Sequence, residues 1–152
     1  DPLSQDDLDG YVWLRDRSPV PIAAGEGECG RWAYDPWIKR HALDIYQIDL
    51  ARNGFTDSQI IRRQVEDAGG RVVNHCYKTP VSVAACLHWL ATAPSAFLFE
   101  DCVEDSPLRH DLALERLQAE SDGLITVPDR PGLGVTLNED CVREFLVAES
   151  GA

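Results

Sequence analysis

Four side chains capable of proton or metal chemistry each close a short apolar run in this chain. Glu26 follows residues 20–24, Asp49 follows 43–48, His75 follows 71–74 and Glu100 follows 96–99, at nearly equal steps. An imidazole titrates near neutrality and can take or give a proton at physiological pH. A carboxylate beside it can orient the ring and stabilise its charged form. Further carboxylates are oxygen donors for a hard divalent cation. Two glutamates and an Asp/His pair therefore point to metal-assisted proton chemistry, provided the fold gathers all four.

The layout between them does so. Segments with helical patterning separate the apolar runs, as in consecutive β/α units of a parallel barrel, where functional groups collect on the rim at the C-terminal strand ends. A helix is expected over 4–17, with Ser4 as a cap and Leu8, Tyr11, Val12 and Leu14 on one face, before Pro19 breaks it. The second helix should start at Asp35 with Pro36 in first position, and the third near Thr56 or Asp57, ending at Gly69 and Gly70. A fourth, over 80–91, is apolar almost all round and so buried. After Glu100 the alternation stops: short strands are expected at 122–127 and 135–137 and a last helix over 139–146. The fold class is α/β, about strands 5–8 of a TIM-like (β/α) barrel, with residues 1–120 as a partial barrel and 121–152 as a tail leaving it. A closed parallel barrel needs about eight strands. The chain is therefore read as a fragment, or as one partner of an assembly that completes the barrel.

Composition narrows the function classes. The chain has 152 residues, 44% of them hydrophobic, and a formal net charge of −12. Such a surface repels phosphate backbones and anionic lipid, which argues against nucleic-acid and membrane roles. No run of about 18 apolar residues offers a membrane span. The first residues lack the basic and apolar regions of a signal peptide. The five cysteines, 29, 76, 86, 102 and 141, include no C-x-x-C pair and are read as free thiols of a cytoplasmic protein. Cys76, next to His75, is read as a packing residue rather than a nucleophile.

Five stretches in order, PIAAGEGE (21–28), DIYQIDLARNGF (44–55), RVVNHCYKTPVSVAA (71–85), AFLFE (96–100) and DGLITVPDRPGLGV (122–135), resemble the C-terminal half of the enolase superfamily, in its mandelate racemase branch. The resemblance implies that Glu26 is the third ligand of a Mg²⁺ ion. It implies that Asp49 and His75 form a hydrogen-bonded dyad, and that Glu100 hydrogen-bonds the substrate carboxylate as charge develops there, for which Glu100 must carry a proton. The first two metal ligands and the lysine acid/base of the family would lie on strands outside this chain. Asp1, Pro2 and Leu3 resemble the end of the family's Glu-Asp-Pro-Leu, so the second ligand is expected just before Asp1. The tail would pack on a capping domain absent from the chain. Gly54 and Phe55 stand where the family has two glycines, a departure that touches the loop rather than the dyad.

The implied activity is Mg²⁺-dependent removal of the proton α to a carboxylate, with dehydration of a sugar acid as the leading case. His75 would then act as general acid on the β-hydroxyl, or as the base for the opposite stereochemistry. Racemisation, epimerisation and cycloisomerisation stand as alternatives within the family, and a non-catalytic, self-associating half barrel as one outside it. The complete enzyme is expected to be a homo-oligomer, and this chain alone to be inactive. Among the remaining candidates, residues 25–30 fit G-x-G-x-x-G, but Glu26 and Glu28 would set carboxylates against a pyrophosphate and the helix is expected only at Asp35. Glu28 competes with Glu26 as metal ligand. Lys78 could reach a substrate carboxylate but reads as a loop residue. His88 reads as a packed helix residue, and His41 and His110 as solvated or loop residues.

Overall fold

A computed structural model of the chain describes residues 1–148. The elements in order are α1 (Leu8–Arg15), β1 (Ala23–Ala24), α2 (Arg31–Lys39), β2 (Ile45–Asp49), α3 (Leu50–Asp67), β3 (Arg71–His75), α4 (Pro80–Leu90), α5 (Pro107–His110) and α6 (Glu139–Glu144). The three strands form one parallel sheet in the order β1-β2-β3. Parallel neighbours need a crossover, and α2 and α3 provide the two. Two compact units divide the chain: residues 1–76 with 89–100, and residues 77–88 with 101 onward. Among the described residues no helix is long and apolar enough to cross a membrane.

In the first unit the β2–β3 register sets Tyr46 against Val72, Ile48 against Asn74 and Asp49 against His75. Tyr46, Ile48, Val72 and Asn74 are all buried, which fixes that register, since a slip by one residue would turn each outward. The Tyr34 hydroxyl donates to the Gly25 carbonyl at 2.8 Å, tying α2 to the turn after β1, and the Tyr46 hydroxyl donates to that of Trp37 at 3.1 Å, tying β2 to α2. Between α3 and the segment after α4, Arg62 pairs with Glu66 at 2.6 Å, and Glu66 accepts from the main chain and hydroxyl of Ser95.

Several boundaries differ from those expected, each for a local reason. The strand over 20–24 shrinks to Ala23–Ala24, because the Ile22 amide donates to the Asp44 carboxylate at 2.9 Å instead of to a neighbouring strand. The first helix is capped by Asp7, whose side chain accepts from the Gly10 amide, and not by Ser4. Helix α2 starts at Arg31, four residues early, and carries Pro36 in its interior. Its first amides find acceptors on another helix: Gly30 donates to Asn53 at 2.7 Å and Arg31 to Asp57 at 3.5 Å. Helix α3 has an extra opening turn; it bends at Gly54, whose φ of 66° and ψ of 170° are non-helical, and then resumes where the helix was expected.

Residues 96–100 form no strand. The Asn74 side chain takes the place of a ladder there, donating to the Glu100 carbonyl at 2.8 Å and accepting from the Glu100 amide at 2.9 Å. In the second unit, the expected strand at 122–127 is replaced at its start by a turn, in which Glu120 donates to the Leu124 carbonyl and Gly123 to that of Glu120. The expected strand at 135–137 survives as a single antiparallel bridge, Ala113 to Leu137. The Glu115 carboxylate accepts the Thr136 amide that would have extended that bridge. The short helix α5 was not expected; α6 is capped by Asn138 and ends at Glu144, two residues short of the expected end.

Asn74 generates one test of this fold. Asn74→Leu leaves two main-chain groups of Glu100 without partners and should lower stability by about 2–4 kcal/mol in urea denaturation; an unchanged midpoint would mean the clamp is dispensable. A second test uses the phenols. Burial is the main cause raising the Tyr46 hydroxyl from 10.0 to about 12, and it raises Tyr34 as well. A raised acid group favours the fold fully below the unfolded value and loses that contribution as pH climbs through the folded one. Stability should therefore hold up to pH 10 and fall between about 10 and 12, with tyrosinate absorbance appearing together with loss of circular dichroism. Ionisation of all four tyrosines near pH 10 in a folded chain would contradict this packing.

Candidate active site at the strand ends

The sheet register brings the two ends of β2 and β3 side by side, and the first contact of the site follows from it. Asp49 is both the last residue of β2 and the N-cap of α3. Its Oδ1 accepts from the amides of Ala51 and Arg52 at 2.7 and 3.3 Å, while Oδ2 lies 3.2 Å from Nδ1 of His75. The cap fixes the carboxylate, which is 1% exposed, and the carboxylate fixes the ring. Against an ionised carboxylate, which only accepts, the ring would donate from Nδ1, and Nε2 points the other way.

That nitrogen faces acids. Glu26 projects from the turn after β1, in which the Glu28 amide donates to the Gly25 carbonyl, and its Oε2 lies 3.6 Å from His75 Nε2. Gly25 has a φ of 109°, a left-handed conformation that a side chain would strain, so glycine is what lets the chain turn here. Glu100 arrives on the segment clamped by Asn74, and Nε2 of Gln47 donates to its Oε2 at 2.6 Å. Ligand-type atoms of Glu26, His75 and Glu100 all fall within 4.8 Å of one another. All four residues picked out by the sequence thus meet within the first unit.

The cluster fits a hard divalent cation at the Glu26 carboxylate, whose oxygens suit Mg²⁺, whereas the imidazole nitrogen suits softer metals and proton transfer. Glu28 is outside this cluster. Burial is the main cause raising its pKa, with Asp6 adding to it, so it holds its charge less readily than an ordinary glutamate.

Two residues of the site were not anticipated. Gln47 stands two positions before Asp49 on β2 and therefore on the same face, a polar residue in an otherwise apolar strand. That signal was present in the sequence. Asn74 had none, since its partner lies 26 residues further on. The other candidates fall elsewhere. Cys76 is buried, as expected of a packing thiol, and among the described residues all five cysteines are unbridged. His88 Nε2 lies 3.2 Å from the Leu133 carbonyl, and His110 lies 3.2 Å from Asp105. His41 sits in the turn after α2 with a φ of 48°. Lys78 is half-buried and belongs to the second unit. The glycine motif does run straight into a helix, contrary to expectation, but Asn53 and Asp57 already occupy the amides at its start that a pyrophosphate would need.

Comparison with known proteins identifies relatives of the chain and of its fold. The D-galactarolactone cycloisomerase of Agrobacterium fabrum is 33% identical over 154 residues, covering 95% of this chain and 40% of that protein. The arabinonate dehydratase of Saccharolobus solfataricus is 28% identical, covering 95% of this chain and 39% of that protein. The crystal structure of the 3,6-anhydro-D-galactonate cycloisomerase of Zobellia galactanivorans superposes with a TM-score of 0.89 at 28% identity, over 97% of this chain and 42% of that one. The chain therefore spans about 40% of the length of the curated relatives it matches. Residues 1–141 match the family described as enolase C-terminal domain-like, and with the parallel β/α core in place the chain belongs to that family, in the enolase superfamily.

Proposed function

We propose that this chain supplies the C-terminal strands of a barrel active site that removes the proton α to a carboxylate, and that its substrate is a sugar acid which then loses water. The observation that carries the reading is the Asp49–His75 dyad with Nε2 turned toward Glu26 and Glu100. Glu26 would hold a Mg²⁺ ion, with its other ligands and a second acid/base coming from elements outside the chain. Bound there, the ion would offset negative charge building on the substrate carboxylate. The same proposal extends to the tail, with residues 121–148 packing on a capping domain; residues 149–152 lie outside those described.

His75 does the proton work at Nε2. Neutral, it takes the α-proton as the C–H bond breaks; as imidazolium, it gives its proton to the β-hydroxyl as the C–O bond breaks and water leaves. Asp49 stabilises the imidazolium and keeps Nδ1 as the donor in either role. Glu100 donates a hydrogen bond to the carboxylate oxygen on which charge accumulates. The enol left by loss of water becomes a 2-oxo-3-deoxy acid by tautomerisation. A second reading, cycloisomerisation of a lactone, is favoured by the cycloisomerase relative at 33% identity. It needs the same proton abstraction with a different leaving group, so the dyad serves both.

In the complete barrel protein, His75→Asn should slow Mg²⁺-dependent exchange of the α-proton of a sugar acid in heavy water by about 10²–10⁴-fold. Exchange at the parent rate for both epimers would overturn the assignment of His75. Formation of a 2-oxo acid identifies dehydration, whereas ring opening of a lactone without loss of water identifies the second reading. Chelation should stop either reaction and added Mg²⁺ should restore it, as should Mn²⁺ to a lesser degree. A rate that survives exhaustive chelation would remove the metal from the reading.

A further inference from the structure

We infer that Gln47 is a positioning residue of the proposed reaction, selecting which oxygen of Glu100 meets the substrate. The inference rests on the role given to Glu100 above. A glutamate has three side-chain torsions, and a terminal carboxyl that is free to rotate presents its two oxygens interchangeably. Glu100 lacks the support of a strand ladder, so its geometry must be set by side chains. Asn74 sets the main chain, through bonds of 2.8 and 2.9 Å to the carbonyl and amide of Glu100. Gln47 sets the far end, through the 2.6 Å bond from its Nε2 to Oε2. The carboxyl is thereby held at both ends.

The consequence is chemical. An oxygen engaged by an amide N–H is turned toward that amide, which leaves the other oxygen of the carboxyl to face elsewhere. With Oε2 held by Gln47, Oε1 is the oxygen left to meet the substrate. Gln47 is also fixed in its own right: it lies on β2 opposite Val73, in the same register that sets Asp49 opposite His75. One strand thus aligns the dyad and the electrophilic glutamate together. Donors that are already aimed when charge develops stabilise the transition state with little reorganisation, whereas a freely rotating carboxyl must be ordered during the reaction. Loss of the Gln47 amide should therefore appear in kcat and leave ground-state binding nearly unchanged.

The test uses the complete barrel protein with a sugar acid it turns over. Gln47→Met keeps the length of the side chain and removes the donor; kcat is expected to fall about 10–100-fold with KM within about threefold of the parent and an unchanged melting temperature. Gln47→Asn keeps the amide but withdraws it by one methylene, and should give the same split even if the methionine variant folds poorly. In a Glu100→Gln background, Gln47→Met should add little further loss, because the partner it positions is already gone. Parent-like kcat in both Gln47 variants, or a full additional loss in the double variant, would overturn the inference alone. A parent protein that neither exchanges the α-proton nor releases water would overturn the functional reading, and this inference with it.

Discussion

The pairing of β2 with β3 is the constraint from which the site follows. Parallel ladders space their hydrogen bonds evenly, so once Tyr46 and Val72 are buried opposite one another every later pair is determined, including Asp49 opposite His75. Asp49 then serves two geometries with one carboxylate. One oxygen ends the strand's successor problem by capping α3, and the other holds the imidazole. Because the cap already orders the carboxylate, aligning His75 requires little additional loss of freedom. The dyad is a by-product of starting a helix directly at the end of a strand.

Around that rigid pair the remaining groups are held by less regular means. Glu26 rides on a turn made possible by a glycine with positive φ, and Glu100 on a segment fixed by Asn74 and Gln47. The two kinds of support differ in tolerance. A ladder shares its cost over many bonds, whereas a clamp made by one side chain fails with one substitution. The flanks of the site are thus more sensitive to point changes than its centre, although the centre is where the chemistry is assigned.

How much of this was legible in the sequence follows the same division. Apolar runs ending in Glu26, Asp49, His75 and Glu100 announced the parallel α/β layout and the gathering of those four residues, because burial and strand direction act through local patterning. What escaped depended on partners distant in the chain. Helix α2 begins early because Asn53 and Asp57 receive its first amides. The strand before Glu26 is short because Asp44 diverts the Ile22 amide. Residues 96–100 look like a strand in composition, yet their anchoring comes from a single asparagine. The tail misled most, since alternating apolar residues between glycines and prolines fit a turn as well as a strand, and a carboxylate from Glu115 settled the matter at Thr136. Gln47 was the one omission that strand periodicity alone could have prevented.

Charge sets the last requirement of the proposed reading. Glu26 and Asp49 face one imidazole, with Glu100 clustered within 4.8 Å, in a chain with a formal net charge of −12. A carboxylate substrate brought to such a cluster meets like charges at short range. Two unit charges about 4 Å apart repel by about 1 kcal/mol in bulk water and by about 4 kcal/mol near a protein surface. In that reading Glu26 stands opposed to the substrate. A divalent cation held by Glu26 would reverse that repulsion and favour binding of the carboxylate. The acid that would most hinder binding would then be the group that makes it possible, and the imidazole, held by Asp49 at Nδ1, would be left with the proton transfer.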